Sequence, residues 1–275
     1  MSGLRPYLAI IGTRFRLLLQ YRAAALAGLW TQAYFGAVLI MIYEAFYAGS
    51  DPAARPMTMG QIVSYVWIGQ ALFCMLPWNA DAEVRDLVRS GAVAYELCRP
   101  VDLYSFWFAR ALALRTAPTV LRAVPMLLLV MLVFPHCGLQ EFRLAPPPTL
   151  ASGAAFLLAL VCALLLGCAI TMLINISFLW TLGADGILVL ISAAVTFFSG
   201  MLIPLPLFPQ WARPLLGWLP FAGLLDLPSR LYCGNLPPAA IFLIAARQLG
   251  WTAALIGLGR WLLARGMRHI VVQGG

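Results

Sequence analysis

The chain has 275 residues, of which 63% are hydrophobic and 10% are charged, and its formal net charge is +8. A soluble domain carries about 25% charged residues, so the composition excludes an ordinary soluble domain and indicates an integral membrane protein. All 18 basic residues are arginine, which excludes a P-loop ATP site and a Schiff-base enzyme because both require lysine. In a membrane protein, basic residues mark cytoplasmic loops and anionic lipid, so we expect membrane lipids and no nucleic acid as partners.

The first segment, residues 4–22, is predicted to form a helix that lies on the membrane surface. Leu8 and Phe15 line one face, while Arg5 and Arg16 follow the other. This amphipathic pattern is typical of an interfacial helix. We do not expect a cleavable signal peptide, because no short apolar core followed by small residues is present.

Six apolar segments follow, and several approach the roughly 20 residues that cross the hydrocarbon core of a bilayer. The predicted spans are residues 23–46, 60–78, 111–134, 150–180, 187–203 and 239–263. Twelve arginines fall on the side of the membrane that holds both termini, and four fall in the loops on the other side. Because arginine marks cytoplasmic segments, both termini are predicted to lie in the cytoplasm.

The cytoplasmic loop at residues 79–102 is predicted to contain a short helix that starts near Asp81 and stops at a glycine. Acidic residues in its first turn and arginines later suit the helix dipole, and glycine is a common stop. Val84, Leu87 and Val88 form an apolar stripe, which suits docking onto a partner protein. An ordinary solvated loop helix is the alternative interpretation.

The segment at residues 199–238 is apolar but is interrupted by proline at positions 204, 206, 209, 214, 220, 228, 237 and 238. Proline breaks helices, and irregular backbone cannot face lipid. The segment must therefore enter the membrane packed against protein, or lie at the membrane surface. Since it precedes the last span, the topology places it on the outer side, as an extracellular re-entrant segment.

Few polar residues lie within the predicted spans. Gln32 and Asn175 are expected to hydrogen-bond between helices, with substrate contact as the alternative, and Arg122 must face a cavity or reach the interface. The six cysteines contain no CxxC pair and the two histidines lie on opposite sides, so we predict no metal site and no catalytic residues. Cys137 and Cys233 both fall in outer loops, and a disulfide between them is a hypothesis.

The order of these parts resembles the permease subunits of ABC exporters, of the ABC-2 type with the type V exporter fold. The matching residues are Glu83-Val84-Arg85, Ser90-Gly91 and Leu97-Cys98-Arg99-Pro100 on the cytoplasmic side, and Ser199 to Pro204, Trp218 to Phe221, Leu227-Pro228 and Gly234 on the outer side. Order and spacing carry the resemblance, which covers nearly the whole chain. Within that class the chain is most similar to the drug-exporter-like subfamily.

The resemblance implies an all-α integral membrane protein with a single transmembrane domain over residues 1–275. Its parts would be six transmembrane helices, an N-terminal interfacial helix, a cytoplasmic coupling helix and an extracellular re-entrant helical hairpin before the last helix. The implied function is that of a permease subunit in the bacterial cytoplasmic membrane, which exports an amphipathic drug, lipid or peptide.

The resemblance also implies partners. These are two copies of a separate ABC ATPase, which would bind ATP and Mg²⁺, and a second permease chain, related or identical. For this chain itself neither enzymatic activity nor a cofactor is implied.

Three sets of residues receive roles from the resemblance. The ATPase-coupling set is Glu83, Val84, Arg85, Leu87, Val88, Arg89, Gly91 and Arg99. The hairpin or gate set is Pro204, Pro206, Trp218, Pro220, Phe221 and Pro228; the first two prolines would end the fifth span, and half-helices are expected at 211–218 and 221–231. The pathway set is Asn175, Phe197, Phe198 and Met201, for which plain packing is the alternative.

Two rival functions have sequence signatures of their own. A stand-alone secondary carrier would need ionisable residues near the middle of the membrane and related repeats. An intramembrane hydrolase or lipid transferase would need a polar catalytic set within the spans. Neither pattern is evident in the sequence, so we favour the exporter subunit.

Overall fold

The structure, a computed structural model, describes residues 4–181 and 185–267, and all regular secondary structure in these two ranges is helical. Four helical segments are long and apolar enough to cross a membrane. They are Ala23–Ala48, Leu103–His136, Leu150–Ser177 and Pro238–Gly266. The all-α membrane fold predicted from the sequence is confirmed at this level, whereas the predicted second and fifth spans are shorter helices.

The first helix is peripheral, whereas the second contributes to the core. Helix α1 (Arg5–Leu18) is shorter than the predicted 4–22 and contains no fully buried residue. Helix α2 (Arg22–Ala48) buries Leu29, Ile40 and Tyr43 in the main apolar core. Its other faces carry large exposed apolar side chains, as expected of a helix that borders lipid.

Helix α3 (Met59–Ala71) forms the centre of the chain's interior. It starts with a capping box made by Thr58 and Gln61, and every residue from 62 to 71 is buried. Pro77 disfavours helical conformation at the residue before it, and Leu76 is accordingly extended, with φ −68° and ψ 146°. The predicted span 60–78 is therefore a 13-residue helix followed by one further short turn.

The loop between α3 and the long helix α6 (Leu103–Leu128) contains two short helices, α4 (Ala82–Arg89) and α5 (Val93–Leu97). Gly91 joins the short helices with a φ of +74°, which glycine adopts without steric cost. The predicted short helix and its glycine stop are confirmed. Helix α6 starts at Leu103 rather than at residue 111, because Asp102 caps it by accepting the Ser105 N–H at 2.9 Å.

Beyond residue 128 the helical path of α6 continues. A π-helical turn leads into α7 (Phe134–His136), so that the whole apolar segment is 34 residues long. Helix α8 (Leu150–Ser177) packs against α6 and supplies much of the buried surface of the described residues.

Helix α9 (Asp185–Phe198) is a 14-residue helix that ends before residue 203, the predicted end of the fifth span. Gly200 adopts a φ of +86°, and a Cβ there would collide with the Tyr65 hydroxyl, so the turn requires glycine. The expectation that Pro204 and Pro206 end this helix is wrong. Both lie past its end, in a separate buried turn.

The re-entrant segment is a pair of short helices, α10 (Ala212–Trp218) and α11 (Asp226–Tyr232). The first matches the predicted half-helix at 211–218. The second begins later than predicted, because residues 220–223 form a tighter turn. Helix α11 and the last helix, α12 (Ile241–Gly266), both pack on α8, and a buried apolar cluster of their own holds the hairpin in place.

All six cysteines are free thiols. Cys233 is buried in the main core at the end of α11, whereas Cys137 is exposed after α7. The disulfide hypothesis is not supported, because the core position of Cys233 withdraws its sulfur from the surface that carries Cys137.

Candidate functional site

A buried arginine ties the loop between α3 and α6 to the membrane helices. Arg110, in α6, donates hydrogen bonds to both carboxylate oxygens of Asp81, at 3.0 Å from Nε and 3.1 Å from Nη2. The same carboxylate accepts the Glu83 N–H at 3.0 Å and so caps α4. Bidentate, charge-assisted pairs of this kind are strong and directional. We call the contacts between residues 76–99 and the membrane helices the cytoplasmic junction, after the side of the membrane predicted for this loop.

Glu83 extends the cytoplasmic junction to α1. Its carboxylate pairs with Arg14 of α1 and, at 3.2 Å, with Arg110. Burial raises the pKa of Glu83, but the hydrogen bonds and charges of Arg14 and Arg110 lower it by more, so the pKa lies below its ordinary value. Glu83 is therefore ionised at neutral pH and links α1, α4 and α6 by charge.

Arg115 fixes the chain that leads into α4. Its side chain is 1% exposed and donates to the Leu76 carbonyl and to Asn79 Oδ1, each at 2.7 Å. It also donates to the Asn79 carbonyl and, at 3.0 Å, to Thr171 Oγ1 on α8. Burial of a cation is costly unless its donors are satisfied. Arg115 meets that requirement with neutral oxygens and thereby locks the loop onto α6 and α8.

Asn175, predicted either to join helices or to contact substrate, joins helices. It is buried on α8, and its Oδ1 accepts the Asp81 backbone N–H at 3.0 Å. The polar group is thus satisfied within the protein. Asn175 belongs to the cytoplasmic junction, and its predicted role in the pathway is not supported.

Helix α5 is anchored in the same way. The Glu96 carboxylate is buried and accepts the Trp107 indole N–H at 2.5 Å. Arg99 lies 3.9 Å from that carboxylate and 5.3 Å from the centre of the Phe106 ring. Both short helices are therefore attached to α6 through side chains, which makes α4, α5 and the start of α6 one rigid unit.

The apolar stripe of α4 divides between the interior and the surface. Val84 is 0% exposed and Val88 packs on the same cluster, so Val84 cannot be a direct contact for a partner. Leu87 is half-buried, while Tyr95, at 80% exposed, and Leu97 project from α5. We call Leu87, Tyr95 and Leu97 the candidate docking residues; Tyr95 and Leu97 point to different sides of α5.

Sequence reasoning missed Tyr95, and it quoted Leu97 only as part of the resemblance, without a coupling role. The available signal was a pair of large apolar residues on either side of Glu96 in a polar loop. Neighbours in a helix point in different directions, so the inward turn of Glu96 leaves both flanking side chains facing outward. Two other coupling candidates lie on α4. Arg85 is partly buried, and its Nε lies 3.7 Å from the Asp86 carboxylate. Arg89 is exposed at the end of the helix.

At the opposite end of the molecule a buried carboxylate ties the hairpin to α3 and α9. Asp226 is 0% exposed. Its Oδ1 lies 3.0 Å from the Tyr65 hydroxyl and accepts the Leu205 N–H at 2.9 Å, and its Oδ2 lies 3.4 Å from Arg230. Its own N–H donates to the Ser199 carbonyl at 2.9 Å. Sequence reasoning also missed Asp226, although it is the single acidic residue in the apolar, proline-rich segment at 199–238.

The predicted gate residues occupy different environments in the hairpin. Phe221 packs against Phe198 of α9, with ring centres 6.1 Å apart. Trp218 is exposed, and its carbonyl accepts the Trp251 indole N–H at 2.9 Å. Pro228 is buried within α11 and Pro220 starts the preceding turn. These contacts fasten the hairpin to α9 and α12.

A cavity of about 520 Å³ lies between α2, α3, α6 and the end of α9. Its lining includes Gln32, Phe35, Trp78, Arg122, Met201 and Leu202. The predicted pathway set is thereby divided. Met201 lines the cavity, whereas Phe197 and Phe198 are not among the described residues that do so.

Long apolar helices and a core shared between them define a multi-pass membrane protein. The profile of the ABC-2 family transporter proteins matches residues 38–274, and the chain belongs to that family. It is therefore the membrane-embedded permease subunit of a transporter, which confirms the resemblance found in the sequence at the level of the ABC-2 family. A search of curated proteins gives no match.

Proposed function

We propose that this chain forms half of the membrane pathway of an ATP-driven exporter and takes its driving force from a separate ABC ATPase. The observation that carries the proposal is the cytoplasmic junction. The candidate docking residues, half-buried Leu87 and exposed Tyr95 and Leu97, lie there on helices that buried hydrogen bonds join to α6 and α8. A coupling element must be rigid, because a flexible one would absorb the motion of its partner.

In this proposal ATP and Mg²⁺ bind to the ATPase subunits, one beneath each permease chain. Closure of the ATPase dimer pushes on Leu87, Tyr95 and Leu97. The Asp81–Arg110 pair then passes that displacement to α6, because a bidentate pair resists both sliding and rotation. Gly91, with its left-handed backbone, sets the angle between α4 and α5 and so the shape of the surface that is pushed.

The remaining parts of the proposal follow the predicted topology. Helices α3 and α9 act with the four long helices as six membrane-crossing segments, with both termini in the cytoplasm of a bacterial cell. A second permease chain, related or identical, completes the pathway. The hairpin of α10 and α11 caps its outer end, and the substrate is an amphipathic drug, lipid or peptide.

Replacement of Leu87 by aspartate tests the proposal. We expect Leu87→Asp to abolish export and to weaken co-purification with the ATPase, because a charge would have to be desolvated at an apolar contact. The amount of protein in the membrane should not change, because Leu87 is only half-buried. Leu139→Asp, at another exposed leucine outside the junction, is the matched control. Normal export and normal ATPase binding in Leu87→Asp would refute the coupling assignment.

A further inference from the structure

The cavity between α2, α3, α6 and the end of α9 has the dimensions of a ligand site. Its volume of about 520 Å³ lies within the range of roughly 300–1,000 Å³ that is usual for small-molecule pockets. Its walls are mostly apolar and include Phe35, Leu39, Met201 and Leu202. None of the described residues that line it is acidic. A cation on this wall therefore has no carboxylate partner within the cavity.

Two polar side chains on the cavity wall have polar atoms without a nitrogen or oxygen partner. Gln32 is 6% exposed, and neither its Oε1 nor its Nε2 has a hydrogen-bond partner. Arg122 leaves its Nε unpaired, and the Cys74 thiol that interacts with both residues is a weak partner. An unsatisfied amide or guanidinium away from water is costly. The cavity wall therefore offers hydrogen-bond donors that the protein's own oxygens do not accept.

Helix α2 has room for the Arg122 guanidinium because position 28 is a glycine. A Cβ at Gly28 would lie 2.6 Å from Cζ and 2.7 Å from Nη1 of Arg122, which no side chain at that position could tolerate without displacing the arginine. Arg122 also lies near the middle of the 34-residue segment 103–136. The guanidinium is thus held against α2 at the cavity wall.

We propose that Arg122 and Gln32 bind the anionic head group of an amphipathic molecule, a phosphate or carboxylate, whose apolar part lies along Phe35, Met201 and Leu202. A guanidinium presents paired N–H groups that match such an anion, and the Gln32 amide adds two more donors. The statement that such anionic amphiphiles are the exported substrates rests on the proposed function. The statement that they bind in this cavity rests on the geometry of the cavity alone.

Equilibrium binding to the purified chain in nanodiscs of phosphatidylcholine tests the site. The probe is radiolabelled dodecyl phosphate, with empty nanodiscs subtracted, and the competitors are dodecyltrimethylammonium and dodecyl maltoside. We expect saturable binding that the two competitors do not displace. Because charge-assisted hydrogen bonds stabilise by roughly 1.5–3 kcal/mol, Arg122→Gln should weaken binding by about tenfold or more.

Two further variants separate recognition from general damage. Gly28→Ala keeps every charge but displaces the guanidinium, so it should weaken probe binding as Arg122→Gln does. Arg247→Gln is the matched control, because Arg247 lies on α12, stacks on Trp218 and donates to the Gly217 carbonyl at 2.6 Å. We expect this variant to bind the probe with wild-type affinity.

The apparent melting temperature distinguishes a recognition role from a structural one. Removal of an unpaired buried charge should leave that temperature unchanged or raise it. A clear drop in the melting temperature of Arg122→Gln, or wild-type probe binding by that variant, would overturn the inference. Equal affinity for the cationic or the neutral amphiphile would overturn it as well.

A final arm identifies the source of the anion. Phosphatidylglycerol added to the nanodiscs assigns the site to bilayer lipid if it displaces the probe, and to an exported solute if it does not. Either result retains the anion site. The exporter proposal has a test of its own, because normal export and normal ATPase binding in Leu87→Asp would refute it. The two proposals can therefore be refuted independently.

Discussion

Helix α6 carries two kinds of arginine within a short distance. At the cytoplasmic junction, Arg110 and Arg115 are buried and hydrogen-bonded to carboxylate, carbonyl, amide or hydroxyl oxygens. About two turns further along, Arg122 faces a cavity with its Nε unpaired. The first arrangement resists displacement, because any movement breaks several bonds at once. The second leaves donors free for a molecule that the chain does not itself supply.

The largest effect that this contrast predicts is on stability at the cytoplasmic junction. We expect Arg110→Ala to lower the free energy of unfolding by about 3–5 kcal/mol, because it leaves the buried Asp81 carboxylate without its counter-charge. Thermal unfolding of the purified chain in one fixed detergent measures the loss. Arg260→Ala, which removes a half-exposed pair with Asp102 at 3.1 Å, should cost about 1 kcal/mol or less. Equal losses in the two variants would contradict the contrast.

Asp226 extends the comparison to the outer end of the molecule. Asp226→Ala should cost about 2–4 kcal/mol, because the Leu205 N–H, the Tyr65 hydroxyl and Arg230 all lose a buried acceptor. The variant should also expose the hairpin to protease, which gel analysis of limited digests can show. Asp51→Ala removes an exposed acid that accepts one backbone N–H and serves as the control. A stable Asp226→Ala hairpin would mean that apolar packing alone holds it.

The smallest predicted effect is a pH dependence at Glu83. Its folded-state pKa is lowered below the ordinary value of 4.5, so its contribution is fully present above that value and is lost as the pH falls through the folded-state pKa. Between pH 7 and pH 5, stability should not change on this account. Because the carboxylate is half-exposed, the loss at lower pH should be about 1 kcal/mol or less. Melting temperatures of wild type and Glu83→Gln, measured from pH 7 to well below pH 4.5, test it, since the variant should lack the loss at low pH.

Local signals predicted the cytoplasmic helices well. Asp81 and Gly91 carry capping and backbone preferences that act over a few residues, and both act in the structure as expected. The division of the apolar stripe could not be predicted in this way. Val84 and Leu87 have the same local pattern, but only the packing of α5 and α6 decides that the first is covered and the second is not.

Helix ends were harder to predict where distant contacts decide them. Pro204 and Pro206 are strong local breakers, yet α9 ends earlier, at Phe198, and the chain turns at Gly200, where Tyr65 and Asp226 occupy the space that a side chain would need. The same limit applies to the polar residues within the spans. Asn175 and Gln32 have the same sequence signature, but the first meets a backbone N–H and the second meets none.

The sequence by itself determined that the chain is an integral membrane protein, because hydrophobicity acts through the solvent whatever the fold. It also determined where the short cytoplasmic helix begins and ends. Only the tertiary structure decided which charges are satisfied. Whether an arginine has an oxygen within hydrogen-bond distance depends on the neighbouring helices. Arg110 has the Asp81 carboxylate there, whereas the Nε of Arg122 has no such partner.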